Sequence, residues 1–293
     1  MTTATRLRAD YVRWHHLQVA TRDVDPTYPV LAGVVRRLAL GADAAAWLVL
    51  LHVAYYHLGS ALAAFATTPA PAPPTEGQLR LPTGTERRAH RDTRQFRRHW
   101  VALLAAFDAD GGPHGWLTGA GTGWGQLTAQ VATVHGNGRW AGYKTAELAQ
   151  KVLGVPTVVA DAGHAHSTGP RKGLALLQHV PPGNTPKVIA ALDAATNALA
   201  AQLGENDIGQ VETSLCDFHS LARGHYYLGH DIDQMGAQLL AVPSDLTQAG
   251  FEARAASLPA PYLAEATGRP ADVDRARARV YADTGRIAVR GSG

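Results

Sequence analysis

Residues 42–65, ADAAAWLVLLHVAYYHLGSALAAF, are apolar on nearly every side. A helix with one polar face can lie on a surface, whereas one that is apolar all round has to be enclosed. This run therefore predicts a central buried helix or helix pair, and the rest of the chain must wrap it. A membrane span is a poorer solution. The continuous stretch Ala44–Tyr56 is too short to cross a bilayer and is interrupted by His52.

The segments around the run read mostly as helices. Residues 86–108 continue as one helix, basic in its first half and apolar in its second, WVALLAAF. Thr185–Leu203 has Thr185 placed to cap it, Pro186 in its first turn and Gly204 after its end. Thr68–Thr85, with its APAPP run, reads as an exposed linker or long loop. Residues 111–125, GGPHGWLTGAGTGWG, are too Gly-rich for a regular element, and Thr157–Ala160 is the best of few strand signals. No internal repeat is visible. The expected fold class is all-α, one catalytic domain over 1–293, with room for two helical lobes and an active groove between them.

Cysteine and charge narrow the chemistry. The single Cys216 excludes an intrachain disulfide framework and a Cys-ligated iron–sulfur cluster. It reads as a small packing residue rather than a nucleophile. The net charge is only +3, but 23 of the 27 basic residues are Arg. With the heavy Ala content this reflects GC-rich coding more than function. The N-terminal segment MTTATRLRADYVRWHH has no apolar signal-peptide core, so a soluble, cytoplasmic protein is expected.

Residues 138–164, GRWAGYKTAELAQKVLGVPTVVADAGH, carry the functional argument. A Gly-rich turn, a hairpin at about 136–146, opens a helix over Lys144–Leu153 that stops at Gly154. Backbone N–H groups of Gly138–Thr145 at such a turn can take a DNA phosphate, with Gly138 and Gly142 allowing close approach. After Pro156 a short apolar run delivers Asp161, 17 positions beyond Lys144, to the mouth of the same element.

This segment resembles the helix-hairpin-helix and following loop of the endonuclease III type of DNA glycosylase. In that family a Gly-x-Gly hairpin precedes Lys-Thr-Ala, and Pro-Thr with an apolar run leads to Val-Asp-Thr-His. The resemblance implies a DNA-glycosylase-like fold that turns a base out of the duplex, with Lys144 at the lyase lysine and Asp161 at the catalytic aspartate. The chain departs from the pattern in three ways. Trp140 and Ala141 stretch the hairpin, Ala162 and Gly163 separate Asp161 from His164, and the family's cluster cysteines are missing.

A narrower resemblance covers more of the chain. RDVDPTYPVL (22–31), AWLVLLHVAYYHLGSAL (46–62) and VETSLCDFHS…YYLGHDID (211–233) are similar to the phage α-glutamyl/putrescinyl-thymine pyrophosphorylases, also called amino acid:DNA transferases. That family is itself thought to be built on the glycosylase fold. It implies thymidine hypermodification: a pyrophosphorylated 5-hydroxymethyluracil in duplex DNA loses pyrophosphate, and an amine takes its place on the methylene carbon. The co-substrate is a free amino acid or amine such as glycine, with no cofactor, in the cytoplasm of a bacterial host cell.

In that chemistry Asp161 could deprotonate the incoming ammonium or support a cationic transition state. Lys144 could carry the charge of the departing pyrophosphate, with Arg139, Arg171 and Lys172 as further members of its cradle. RRAHRDTRQFRRHW (87–100) packs six Arg into twelve positions. On one helix Arg87, Arg91, Arg94 and Arg98 share a face suited to DNA phosphates, as Gly138, Gly142 and Thr145 are in the turn. Glu212, Asp217, Asp231 and Asp233 are the acids available to bind an amine's ammonium, or a divalent ion. Asp23 and Asp25 read as cap and turn residues. Tyr55 and Tyr56 are candidates for stacking on a flipped base. His164-Ala165-His166 is not a metal signature. The rival readings are a base-excision glycosylase with lyase activity, using Lys144 as nucleophile, and a DNA-binding protein without catalysis.

Overall fold

The structure, a computed structural model, describes residues 3–107, 110–119 and 123–263. Among these residues there are fourteen α-helices, two short 3-10 segments and no strand. The helices are α1 (Thr3–Thr21), α2 (Thr27–Arg37), α3 (Ala42–Tyr55), α4 (Leu58–Thr67), α5 (Glu76–Leu79), α6 (Thr93–Phe107) and α7 (Pro113–Gly119). They continue as α8 (Trp124–Thr133), α9 (Arg139–Leu153), α10 (Gly169–Leu177), α11 (Pro186–Leu203), α12 (Ile208–Ala222), α13 (His230–Ala241) and α14 (Thr247–Ser257). The 3-10 segments are Thr85–Arg91 and Ala260–Tyr262. The all-α expectation holds, and no helix among the described residues is long and apolar enough to cross a membrane.

The chain divides into two compact units. Of the described residues, one unit is made of those in 27–158 and 234–257, the other of those in 3–26, 159–233 and 258–263. In the first, the enclosed helix pair is α3 and α4. The break falls where Tyr56 turns left-handed (φ 47°) and the His57 ring accepts from the Ser60 N–H to cap α4. Every residue of α3 from Ala45 to Tyr55 is buried. Its wall is aromatic: Trp47 packs edge-on against Trp100 and Phe107, and Tyr55 against Phe96 and Trp100.

Residues 68–85 are mostly irregular and exposed, as expected, apart from the short α5, whereas two other local expectations fail. The loop over 68–85 is anchored to the core at three points. Trp47 Nε1 donates to Thr68 O, Trp100 Nε1 to Ala72 O and the Tyr55 hydroxyl to Gln78 O, and α5 closes with a Thr75–Gln78 capping box. The Gly-rich stretch holds α7 and the start of α8, because Trp116, Leu117 and Trp124 are buried; residues 120–122 lie outside the described residues. Thr157–Ala160 is irregular, since the described residues offer no strand to pair with it.

The long basic helix is also not one helix. A 3-10 segment ends at Arg91, Asp92 is extended (φ −83°, ψ 113°), and its carboxylate then accepts from the N–H groups of Arg94 and Gln95 to start α6. Arg87 and Arg91 are therefore out of register with Arg94 and Arg98. By contrast α11 follows its sequence signals closely: the Thr185 hydroxyl accepts from Val188 N, Pro186 opens the helix and left-handed Gly204 ends it.

In the second unit α12 is the central helix. It packs on α10 where Gly173 leaves no room for a Cβ against the Leu215 carbonyl. On its other side, α1 contributes Tyr11, edge-on to Phe218, and His15. Both reach the Ser214 hydroxyl, at 2.8 and 2.9 Å.

Candidate functional site

In the first unit α8 and α9 are joined by residues 134–138, VHGNG, and this corrects the expected hairpin. The helix begins at Arg139, not Lys144, and Gly142 N already donates to Gly138 O at 3.0 Å. From Gly142 onward the amides bond within the helix, so those that could face a phosphate are confined to the turn and to the first helical positions, 139–141. Gly142 has a different task. A Cβ there would meet Thr128 O at 2.6 Å, so the residue lets α9 lie close on α8. Thr145 is fully buried and so lies away from any solvent-facing phosphate. Gly138 and Arg139 are exposed at the helix start, with Trp140 half-buried beside them.

Lys144 sits one turn further in and is buried, 7 % exposed. Its ammonium donates to Glu147 Oε2 at 2.8 Å, and the Tyr28 hydroxyl donates to the same oxygen at 2.8 Å. Lys151 lies 3.7 Å from Glu147 Oε1, and both ammonium groups lie over the Tyr28 ring. Glu147 is itself fully enclosed. Sequence reasoning missed it, although 144, 147 and 151 share one helical face at i, i+3 and i+7. In this arrangement Lys144 is one partner of a buried ion pair. That suits a cation for a departing anion better than an amine nucleophile, which must first lose its proton.

Arg87 departs from its expected role. It is buried, and its donors are taken by Ala54 O, Gly136 O, the His90 ring and Asn137 Oδ1. Burial lowers its pKa to about 10, and burial together with the Arg87 charge pushes His90 down to about 3. A neutral His90 can accept from the guanidinium while donating to Ala54 O at 2.7 Å. Arg87 thus braces the 134–138 turn from behind. Arg88, Arg91, Arg94 and Arg98 remain exposed, whereas Arg97 pairs with Glu76. Tyr55 is likewise core, with no face open to a base; Tyr56 is half-buried, edge-on to Trp140 at 4.8 Å.

Asp161 belongs to the second unit. It is half-buried, and its Oδ1 accepts from the Gly163 N–H at 2.7 Å, closing a tight turn. Asp193 lies near enough for the Asp161 charge, after burial, to raise its pKa. His164 is buried against the Thr196 hydroxyl at 2.8 Å. Burial, aided by the Arg171 charge, lowers it to about 4, with Asp161 opposing. It is therefore neutral near pH 7. Arg171 spends its guanidinium on Gly183 O, His164 O and Asn184 Oδ1, stapling the loop before α11. Lys172 next to it is exposed.

The predicted acids divide. Asp217 and Glu212 are buried on α12, and Asp231 and Asp233 stand half-buried in the first turn of α13. Thr213 donates to Asp25 at 2.7 Å and to Glu212 at 3.3 Å, and the Tyr227 hydroxyl donates to Asp233 at 2.5 Å. Asp23, read from sequence as a cap, is fully buried, with Oδ2 accepting from Gly229 N at 2.7 Å and the Tyr226 hydroxyl at 3.3 Å. Cys216 is half-buried in the α10–α12 packing against Gly169. Among the described residues no group of three or more His, Cys, Asp or Glu could hold a metal ion.

A search among curated proteins gives no match. A family model described as amino acid:DNA transferase matches residues 19–227, from the end of α1 through Tyr227, and so spans Asp23, the exposed arginines, Lys144, Asp161 and Asp217. That match covers well over half of the chain, and the protein belongs to the amino acid:DNA transferase family of enzymes.

Proposed function

We propose that the protein transfers an amino acid or other amine onto pyrophosphorylated 5-hydroxymethyluracil in phage DNA, after replication and in the cytoplasm of a bacterial host, on a glycosylase-like helical scaffold. The bond between the methylene carbon and its ester oxygen breaks, and the electron pair leaves with pyrophosphate. A carbon–nitrogen bond forms in its place, and the incoming ammonium gives up a proton to a base. The observation that carries the reading is the family match over residues 19–227. The Lys144–Glu147 ion pair supports it, because a lysine so paired suits a cation for a leaving anion better than a free amine nucleophile. In this scheme Asp161 takes the proton, and exposed Arg139, at the start of the helix that carries Lys144, adds to the pyrophosphate cradle.

The test is mass spectrometry of nucleosides from DNA carrying the pyrophosphorylated base, after incubation with the protein and a mixture of amino acids. An amine-bearing thymidine is expected, with the glycosidic bond intact and no covalent protein–DNA adduct after borohydride. Abasic sites, strand breaks or a trapped Lys144 adduct, without aminated thymidine, establish a glycosylase/lyase instead.

Duplex binding is expected to weaken steeply with salt, because Arg side chains displace counterions from phosphates. Replacing exposed Arg91, Arg94 and Arg98 by Ala should weaken binding to all sequences about equally. The log–log salt slope should then shrink by roughly one unit for each phosphate that is no longer neutralised. An unchanged slope in a filter-binding titration assigns those residues to a solvated face.

A further inference from the structure

The second unit contains an enclosed group of acceptors that the reaction scheme leaves unused. Asp23 and Gln18 are both fully buried. The Gln18 amide nitrogen donates to Asp217 Oδ2 at 2.8 Å, which fixes the amide against that carboxylate. Among the described residues its carbonyl oxygen has no hydrogen-bond partner, and neither does Asp23 Oδ1. The other Asp23 oxygen is occupied by Gly229 N and Tyr226, and the Tyr226 hydroxyl also interacts with Asp231.

The charges acting here share one sign. Those acting on Asp23 come from Asp231 and Asp233, and those on Asp217 from Asp231, Asp23 and Asp25. Burial and this mutual repulsion raise both carboxyls well above the ordinary aspartate range. Buried acceptors without donors are costly, and buried like charges are costlier still. Both costs are relieved by a ligand that is cationic and rich in N–H donors.

We propose that Asp23, Asp217 and Asp231, with the Gln18 carbonyl, form the binding site for the ammonium group of the amine co-substrate, Asp23 being its principal anchor. This assignment rests on the amine-transfer reading above and names the part of the chain that would select the nucleophile. A primary ammonium supplies what these acceptors lack, both N–H donors and a positive charge. The anchor lies at the junction of α1 and the loop after it, facing the α12 carboxylate, which is why residues so distant in sequence act together.

The test uses the full-length protein and methylammonium, the simplest organic ammonium, followed by saturation-transfer NMR and competed with glycine. Saturable binding is expected, with displacement by glycine but not by acetate. Tetramethylammonium, which has the charge but no N–H, should compete at least tenfold less well. Asp23→Asn keeps an oxygen for Gly229 N while removing the charge, and should weaken methylammonium binding tenfold or more without loss of thermal stability. Gln18→Met, which deletes the orphaned carbonyl at similar volume, should weaken it several-fold. The proposal is overturned if the unmodified protein shows no saturable methylammonium binding, if tetramethylammonium competes equally, or if Asp23→Asn binds as the parent does. Failure of the transfer reading is separately visible: Asp23-dependent ammonium binding without amination of DNA leaves this site standing. Amination with an unchanged amine KM in Asp23→Asn removes the site and leaves the transferase.

Discussion

Replacing Glu147 by Ala is expected to cost about 3–5 kcal/mol of folding stability, the range for removing one partner of a buried ion pair. Glu147 is fully enclosed, accepts from Lys144 and Tyr28 at 2.8 Å each, and faces Lys151 at 3.7 Å. Without it the Tyr28 hydroxyl loses its acceptor, and two ammonium groups over one tyrosine ring lose their shared counter-charge. The measurement is urea unfolding, in which the midpoint should fall while the slope stays constant. Pairing Glu147→Leu with Lys144→Met should recover much of the loss, because an apolar pair of similar volume removes both desolvation costs at once. A loss below about 1 kcal/mol would show that water reaches the pair and screens it as it does a surface ion pair.

Asp161→Asn is expected to lower the rate of amine transfer about a hundredfold or more, the usual scale for general acid–base work. The structure makes this substitution informative. Asp161 Oδ1 accepts from Gly163 N, and an Asn oxygen can accept that bond equally well. The turn should therefore persist, so circular dichroism and the unfolding midpoint should match the parent while single-turnover amination collapses. A base acting on an ammonium should give a rate rising with pH, and the Asn variant should lose that limb. Lys144→Arg, which keeps the charge, should retain part of the activity. A pH-independent residual rate close to the parent's would remove Asp161 from the proton transfer.

How much of this was legible in the sequence follows from the range of the forces involved. Enclosure of residues 42–65 could be read directly, because an apolar helix without a polar face has only one stable environment. The limits of α11 were legible for a different reason, since Thr185, Pro186 and Gly204 act within a turn of the residues they cap. The breaks at Tyr56 and Asp92 were not legible. One is a left-handed non-glycine residue and the other an extended residue between two helical segments, and both are held by packing from distant parts of the chain.

The candidate site divides along the same line. Lys144 and Asp161 stand in one contiguous motif, so their residue types and spacing were available from the chain alone, as was the Lys144–Glu147–Lys151 face. Whether an arginine meets solvent was not. Arg87 and Arg91 are alike in sequence, yet Arg87 is enclosed by Ala54, His90, Gly136 and Asn137 while Arg91 is exposed. Asp23 carries the clearest case, since its neighbours Gly229, Tyr226 and Asp231 lie about 200 positions away. The sequence by itself determined the helical class, the buried pair at its centre and the motif that holds the candidate chemistry, because period, capping and spacing act over a few residues. Only the tertiary structure decided which charges are buried and which acceptors lack donors, because desolvation depends on every segment that closes over a group.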